Sequence, residues 1–231
     1  MSQPIRAIVL DFNGTLAQDD HVMAPLFVEM FASVGLRLTE EEYVRELAAL
    51  PDRQVSELAL RRAGLPVEDK HRDALVQARR QGYLAAVAQR PPIEEHALEF
   101  VRAAAAQVEL AITSGAFREE IESVLAAACV RHYFKTVVSI DDVVNGKPHP
   151  EGFLTALAQL NAVSRADPPI EPRQVVAVED ATDGARAARA AGMRVAAVRG
   201  PGYDPASGYA DLQVDRLDLT ALSQMLALGA T

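Results

Sequence analysis

The strongest constraint on the fold is a regular alternation of helix and strand after Pro92. Short apolar runs typical of buried strands lie at residues 108–112, 136–139, 175–178 and 194–198. Helical stretches occur between or before them, at about residues 94–106, 118–128, 150–160 and 184–191. Strands that alternate with helices pair in parallel, because each crossover helix returns the chain to the same end of the sheet. The sequence therefore predicts an α/β fold with a mostly parallel sheet covered on both faces.

A helical segment interrupts this pattern near the N-terminus. Residues 5–10 form one further strand-like run and residues 23–34 a helix, but no strand pattern occurs from Thr39 to about Phe100. Thr39 is followed by three glutamates, as at a capped helix start, and prolines and glycines divide the segment into three helices. We therefore expect an α-helical insertion, with residues 17–90 as a cap domain and residues 1–16 and 91–231 as the core.

Composition narrows the class of protein. The net charge of −9 argues against a general nucleic-acid binder, which needs a basic face. No apolar run is long enough to cross a bilayer, and the N-terminus lacks the features of a signal peptide. The single cysteine, Cys129, has alanine neighbours and is expected to be a small buried thiol. We expect a cytoplasmic protein, a monomer or homodimer, with neither nucleic-acid nor membrane partners.

Polar residues follow each of the first four predicted strands. They are Asp11 and Asn13, then Ser114 and Gly115, then Asp141-Asp142 with the Gly146-Lys147-Pro148 loop, and finally Glu179-Asp180. In open parallel sheets, ligands bind at the carboxyl ends of the strands, where the order of the strands reverses. The four groups are therefore expected to meet at one edge of the sheet.

The residue types in these groups suit a metal and a phosphate. Three carboxylates brought together repel one another, and hard oxygen ligands of this kind suit Mg²⁺. Glu179-Asp180 could instead be an acidic pair at a helix start, but its position after a strand favours the metal. Ser114-Gly115 is expected to begin a helix, where a hydroxyl and free N–H groups bind phosphate or simply cap the helix. Lys147, one of only three lysines, is expected to balance the carboxylates.

Four segments, in this order, resemble the motifs of the haloacid dehalogenase-like hydrolase superfamily. Asp11-Phe12-Asn13-Gly14-Thr15 resembles the first motif, D-x-D-x-T, and Ser114, Lys147 and Glu179-Asp180 match the other three. Residues 146–153 and 178–193 are similar to the β-phosphoglucomutase-like subgroup with a helical cap. The resemblance implies a Rossmann-like core and a Mg²⁺-dependent phosphatase that acts on a small phosphorylated metabolite, such as a sugar phosphate.

The resemblance also implies roles for the matching residues. Asp11 would be the nucleophile that forms an aspartyl-phosphate, and Lys147 would orient it. Mg²⁺ would be bound by Asp11, Asp180, the backbone carbonyl of Asn13 and Glu179. Thr15, Ser114 and Gly115 would hold the phosphoryl group. Arg53, in the insertion, is a candidate substrate contact, although an exposed helix arginine is an equally good interpretation.

Asn13 departs from the family pattern, which has a second aspartate at this position. That aspartate protonates the leaving group and activates water, and the loss of a general acid–base costs ~10²–10⁴-fold in rate. The substrate could have a good leaving group, the protein could be slow or only bind its ligand, or the residue could be engineered. Glu179-Asp180 and the Gly-Lys-Pro loop fit a phosphatase better than a phosphonatase or dehalogenase. A phosphomutase would need the missing group in both directions.

Overall fold

The computed structural model describes residues 3–48, 50–165, 167–199 and 208–230. Contacts divide the chain into two compact units. The first unit contains the residues up to Gln18 and those from Ile93 onward, and the second is Asp19–Pro92. None of the helices in these described ranges is both long enough and apolar enough to cross a bilayer.

The first unit contains a six-stranded sheet in the order β3-β2-β1-β4-β5-β6, with every neighbouring pair parallel. The strands are β1 Ala7–Leu10, β2 Glu109–Thr113, β3 Phe134–Val138, β4 Val175–Glu179, β5 Arg194–Val198 and β6 Leu212–Val214. The predicted α/β class with a parallel, Rossmann-like sheet is thus confirmed.

Nine α-helices accompany the sheet in the described residues. Those of the second unit are α1 Asp20–Ser33, α2 Glu40–Glu46, α3 Asp52–Arg62 and α4 Asp69–Gln89. Those of the first unit are α5 Glu95–Ala105, α6 Arg118–Ala127, α7 Glu151–Ser164, α8 Thr182–Ala190 and α9 Leu219–Ala227.

The core of the first unit forms because the central strands are apolar on both faces. All four residues of β1 and all five of β4 are buried, as expected for strands covered by helices on either side. On one face, alternate strand residues such as Val9 and Ala177 pack against Phe153 and Leu160 of α7 and Ala188 of α8. This packing holds α7 and α8 against the sheet, next to the loops that precede both helices.

The second unit is a small helical bundle with its own core. The rings of Phe27 and Tyr43 stack with their centroids 4.7 Å apart. Thr39 and Glu42 form the capping box that starts α2, which agrees with the predicted helix start. Buried Tyr83 donates a 2.7 Å hydrogen bond to an oxygen of Asp19.

Two local expectations are wrong. Cys129 is exposed, not buried, and it lies two residues after the end of α6, with a φ of +57°. Its neighbours Ala126 and Ala127 are exposed too, so the small side chains beside Cys129 did not indicate burial. Ser114-Gly115 does not begin a helix, since α6 starts three residues later at Arg118. Phe117 precedes that helix and supplies no side-chain cap, so a typical sequence signal for the helix start is absent there.

Candidate active site

The order of the strands reverses beside β1, where Asp11 leaves the sheet. Leu10 pairs with Ile112 of β2 and with Val178 of β4. Asp11 therefore lies level with the last residues of both neighbouring strands, and its N–H donates to the carbonyl of Val178 at 2.9 Å. Parallel neighbours lie about 4.8 Å apart, so side chains that leave these strand ends are within reach of one another.

A tight turn carries Asn13, Gly14 and Thr15 over the sheet edge. The carbonyl of buried Phe12 accepts hydrogen bonds from the N–H groups of Leu16 and Ala17, at 2.9 and 2.8 Å. Gly14 has a φ of +75°, and a Cβ there would lie 2.1 Å from Oδ2 of Asp180. Only glycine satisfies both conditions, because other residues disfavour this φ and add that atom.

Lys147 reaches across from the loop that precedes α7. Its Nζ lies 2.5 Å from Oδ1 of Asp11 and 2.5 Å from Oε1 of Glu179. The ring of Phe153 lies beside it, with its centroid 5.6 Å from Nζ. The lysine is therefore held between two carboxylates and an aromatic ring.

Three carboxylates converge on this point. One oxygen each from Asp11, Glu179 and Asp180 lies within 4.8 Å of the others. Asp180 also accepts from the hydroxyl of Thr15 at 3.4 Å. Glu179 is fully enclosed, and a Cβ on Gly184 of α8 would lie 2.1 Å from its carboxyl carbon. Its Oε2 is buried without a hydrogen-bond partner among the described residues.

Burial and mutual repulsion perturb the titration of this cluster. Burial raises the pKa of Glu179 well above its ordinary value, although Lys147 opposes the shift. Burial, reinforced by Asp11, raises the pKa of Asp180 to about 7. Burial opposes the charge on Lys147, but Asp11 and Glu179 outweigh it and raise the pKa of the lysine above its usual range. The cluster thus carries more negative charge than one ammonium compensates.

These donors fit a magnesium ion. All three are carboxylate oxygens, which Mg²⁺ prefers, and the buried Oε2 of Glu179 still lacks a partner. Asp11, Glu179 and Asp180 would hold the ion, together with the backbone carbonyl of Asn13.

Ser114 and Gly115 lie in the loop after β2, beside the strand that carries Asp11. Ser114 is buried, its N–H donates to Val138, and its hydroxyl accepts from the N–H of Ala116 at 3.2 Å. Around the point where Gly115 would carry a Cβ, no atom lies within 4 Å in the described parts of the chain. The loop therefore offers open space above the glycine.

Two arginines make contacts with acidic side chains. Arg118, the first residue of α6, donates to Asp142 at 2.5 Å and to the carbonyl of Val137. Arg53 lies in α3 of the second unit, is two-thirds exposed, and approaches Glu57 at 3.6 Å. Asn13 lies half-buried in the turn between Phe12 and Gly14.

Residues around the cluster that the sequence did not single out include Gln18 and Glu151. The side-chain amide of Gln18 donates to the carbonyl of Gly14 at 2.8 Å, which fixes the turn. Glu151 accepts hydrogen bonds from the loop that carries Lys147. The position of Glu151 directly after Pro150, at the start of a helix, was the available signal for it.

The fold and the site define an α/β protein with a carboxylate–lysine cluster at the switch point of its sheet. A family model for haloacid dehalogenase-like hydrolases matches residues 5–192. The chain belongs to that family, as the four motif segments predicted.

Known proteins are similar over most of the chain. Protein CbbY from Cereibacter sphaeroides is 30% identical over 215 residues, which cover 86% of this chain and 85% of that protein. A phosphorylated carbohydrates phosphatase from Thermotoga maritima is 29% identical over 192 residues, 82% of each chain. A solved structure of a CbbY variant from Rhodobacter sphaeroides in complex with xylulose-(1,5)-bisphosphate has a TM-score of 0.79 at 25% identity, covering 94% of this chain and 99% of the other.

Proposed function

We propose that this chain is a Mg²⁺-dependent phosphatase that hydrolyses a small phosphate monoester of the sugar-phosphate kind, with Asp11 as the phosphoryl acceptor. The observation that carries the proposal is the contact of Lys147 with both Asp11 and Glu179 beside Asp180. One ammonium and three carboxylates at a strand switch point suit a site for a dianionic phosphate and a divalent cation.

The identity of the relatives supports the substrate class. The Thermotoga maritima relative is named a phosphorylated carbohydrates phosphatase, and the CbbY variant was crystallised with a sugar bisphosphate. A shorter match, 38% identical over 90 residues, is the fructose-1-phosphate phosphatase of Escherichia coli. We therefore assign a phosphorylated sugar as the substrate class.

Hydrolysis would take two displacements at phosphorus. A carboxylate oxygen of Asp11 attacks the phosphorus, the bond to the leaving-group oxygen breaks, and an aspartyl-phosphate forms. Water then attacks the same phosphorus, which releases inorganic phosphate and restores the carboxylate. Lys147 orients Asp11, while Ser114 and the N–H of Gly115 hold the phosphoryl oxygens. A bound Mg²⁺ would neutralise part of the negative charge of the phosphate and the carboxylates.

Asn13 limits both displacements. The leaving oxygen must gain a proton in the first step and water must lose one in the second, and an amide can do neither. A metal contact through the backbone carbonyl of Asn13 would not depend on the identity of its side chain. The second candidate function is therefore a protein that binds a phosphorylated metabolite and turns it over slowly or not at all.

The second unit is assigned as the cap of the family. We place the boundaries near residues 16–18 and 90–92, so that the core is formed by the two flanking segments. Arg53 in α3 is the residue of this unit that we assign to substrate contact, since its side chain is two-thirds exposed.

A phosphate-release screen of sugar phosphates with Mg²⁺ tests the proposal. The parent chain, Asn13→Asp and Asp11→Asn are compared under the same conditions. We expect turnover by the parent, faster turnover by Asn13→Asp, and none by Asp11→Asn. A parent that binds sugar phosphates in calorimetry but releases no phosphate, beside an active Asn13→Asp variant, would favour the binding function. Equal turnover by Asp11→Asn would contradict the mechanism.

A further inference from the structure

The loop that delivers Lys147 has little apolar anchorage of its own. Residues 144–146, 148 and 149 are exposed, and Val144 is 92% exposed to solvent. A loop without buried apolar contacts is held only by its hydrogen bonds and its ends. Nevertheless, Lys147 must place one ammonium between two carboxylates within 2.5 Å of each.

The carboxylate of Glu151 accepts three hydrogen bonds from this loop. Oε1 of Glu151 accepts from the N–H of Val144 at 2.8 Å. Oε2 accepts from the N–H of Asn145 at 3.1 Å and from its side-chain amide at 2.9 Å. These bonds span six and seven residues of sequence and enclose the segment that contains Lys147. The hydrogen bond from Val144, followed by that from the Asn145 side chain, lowers the pKa of Glu151, so its charged form is the one that holds the loop.

Two further residues in the first turn of α7, Gly152 and Phe153, also help to position the Lys147 side chain. Glu151 is the first residue of α7, and Gly152 follows it. A Cβ on Gly152 would lie 2.6 Å from Oγ1 of Thr113, so glycine lets the helix start close to the end of β2. Phe153 is buried and places its ring beside the ammonium of Lys147. The loop is thereby tied to a helix start whose position on the sheet is set by packing.

We propose that Glu151 is a positioning residue that holds the Val144–Asn145 segment and so keeps the ammonium of Lys147 between Asp11 and Glu179. Its effect on turnover passes through Lys147, and Glu151 itself contacts neither the substrate nor the metal. The consequence for catalysis rests on the proposed phosphatase function, whereas the effect on Lys147 can be measured without any substrate.

The three lysines of the chain make that measurement internally controlled. Lys70 and Lys135 have 71% and 48% of their side chains exposed, against 20% for Lys147. Acetic anhydride acetylates accessible, unpaired amines, and mass spectrometry reads each lysine separately. The parent is compared with Glu151→Ala, Glu151→Gln and Asn145→Ala. Glu95→Ala is the matched control, because Glu95 also begins a helix, α5, but makes an exposed ion pair with Arg102.

In Glu151→Ala, we expect Lys147 to be acetylated about tenfold faster relative to Lys70 and Lys135, because charge-assisted hydrogen bonds to the loop are lost. Glu151→Gln keeps one acceptor oxygen and Asn145→Ala keeps both backbone bonds, so each should show a smaller increase. Glu95→Ala should leave all three rates unchanged. An unchanged ratio for Lys147 in Glu151→Ala would overturn the proposal. If all three lysines speed up together, that variant has unfolded, and unchanged ratios in the other two variants would then overturn it.

Turnover gives the second readout. With the sugar phosphate that the screen identifies, we expect Glu151→Ala to lower kcat about 10–10²-fold with little change in KM, as for a displaced catalytic group. If Lys147 becomes more reactive but kcat is unchanged, the positioning of the loop stands and its catalytic consequence fails. If no variant, parent included, releases phosphate, the proposed function fails while acetylation still decides the role of Glu151.

Discussion

Replacing Lys147 by methionine removes the only positive charge that contacts Asp11 and Glu179 in the described structure while keeping most of the side-chain volume. At 2.5 Å and an effective dielectric constant of about 20, each contact is an attraction of about 7 kcal/mol before the cost of desolvation. Removing one partner of a buried pair costs about 3–5 kcal/mol net, because the remaining charges stay buried. For a chain of this size, 1 kcal/mol corresponds to about 2–4 °C in Tm, so we expect Lys147→Met to melt about 6–20 °C below the parent.

The assay is thermal unfolding followed by circular dichroism, with EDTA present. Lys135→Met is the matched control, because Lys135 is half exposed and lies 3.8 Å from Glu109 at the surface. A pair of that kind contributes about 0–1 kcal/mol, so its Tm should stay close to that of the parent. Added Mg²⁺ should recover part of the loss in Lys147→Met, since it supplies positive charge to the same carboxylates.

The pH dependence has a definite sign. The pKa values of Glu179 and Asp180 are already raised in the folded protein, and loss of the ammonium raises them further. A carboxyl whose pKa is higher when folded than when unfolded destabilises the fold increasingly as pH rises between the two values. The difference in Tm between the parent and Lys147→Met should therefore be larger at pH 8 than at pH 6. Equal melting of Lys147→Met and Lys135→Met in EDTA would refute the reasoning.

Two further variants and one pH dependence test other parts of the site. Asn13→Asp should raise the turnover of alkyl phosphates ~10²–10⁴-fold and flatten the dependence of rate on leaving-group pKa across aryl phosphates; parallel slopes would count against the role of Asn13. Gly14→Ala should weaken Mg²⁺ binding in calorimetry, because the added Cβ would displace the Asp180 carboxylate. Gly35→Ala is the control: it carries the same backbone strain of about 1–2 kcal/mol at positive φ, but open space surrounds its Cβ position. Its Mg²⁺ affinity should therefore match that of the parent. Mg²⁺ should bind more weakly at pH 6 than at pH 8, since the pKa of Asp180 is about 7 and protons compete with the metal; an affinity independent of pH would contradict that assignment.

Most strands of the sheet were predictable, because a strand that is buried on both faces is a continuous apolar run in the sequence. The predicted runs overlap β1 to β5, since a buried parallel strand must be apolar throughout. β6 has only three residues, one of them exposed, and so carries little pattern. A short edge strand of this kind is positioned by its pairing with β5, and that pairing leaves no pattern in the local sequence.

The sequence predicted that Asp11, Lys147 and Glu179-Asp180 meet at one sheet edge, but it did not predict the geometry of their contacts. The meeting of Lys147 with Asp11 joins residues 136 positions apart, and only the order of the motifs indicated it. Its immediate supports, Glu151 and Phe153, were not singled out because their roles depend on how α7 docks on the sheet. Cys129 was misassigned because its exposure follows from the turn after α6, whereas the prediction used the size of its neighbours.

The central claim is that Asp11 accepts the phosphoryl group, and trapping that adduct tests it most directly. The parent is mixed with Mg²⁺ and p-nitrophenyl phosphate, quenched in acid, and digested for mass spectrometry, with borohydride reduction to mark the acyl phosphate. Because Asn13 cannot activate water, the second displacement should be slow and the adduct should accumulate. The account predicts one phosphoryl group on the peptide that contains Asp11, and none in Asp11→Asn. Turnover of the substrate with Asp11 unmodified throughout, or a phosphoryl group on another residue, would contradict it.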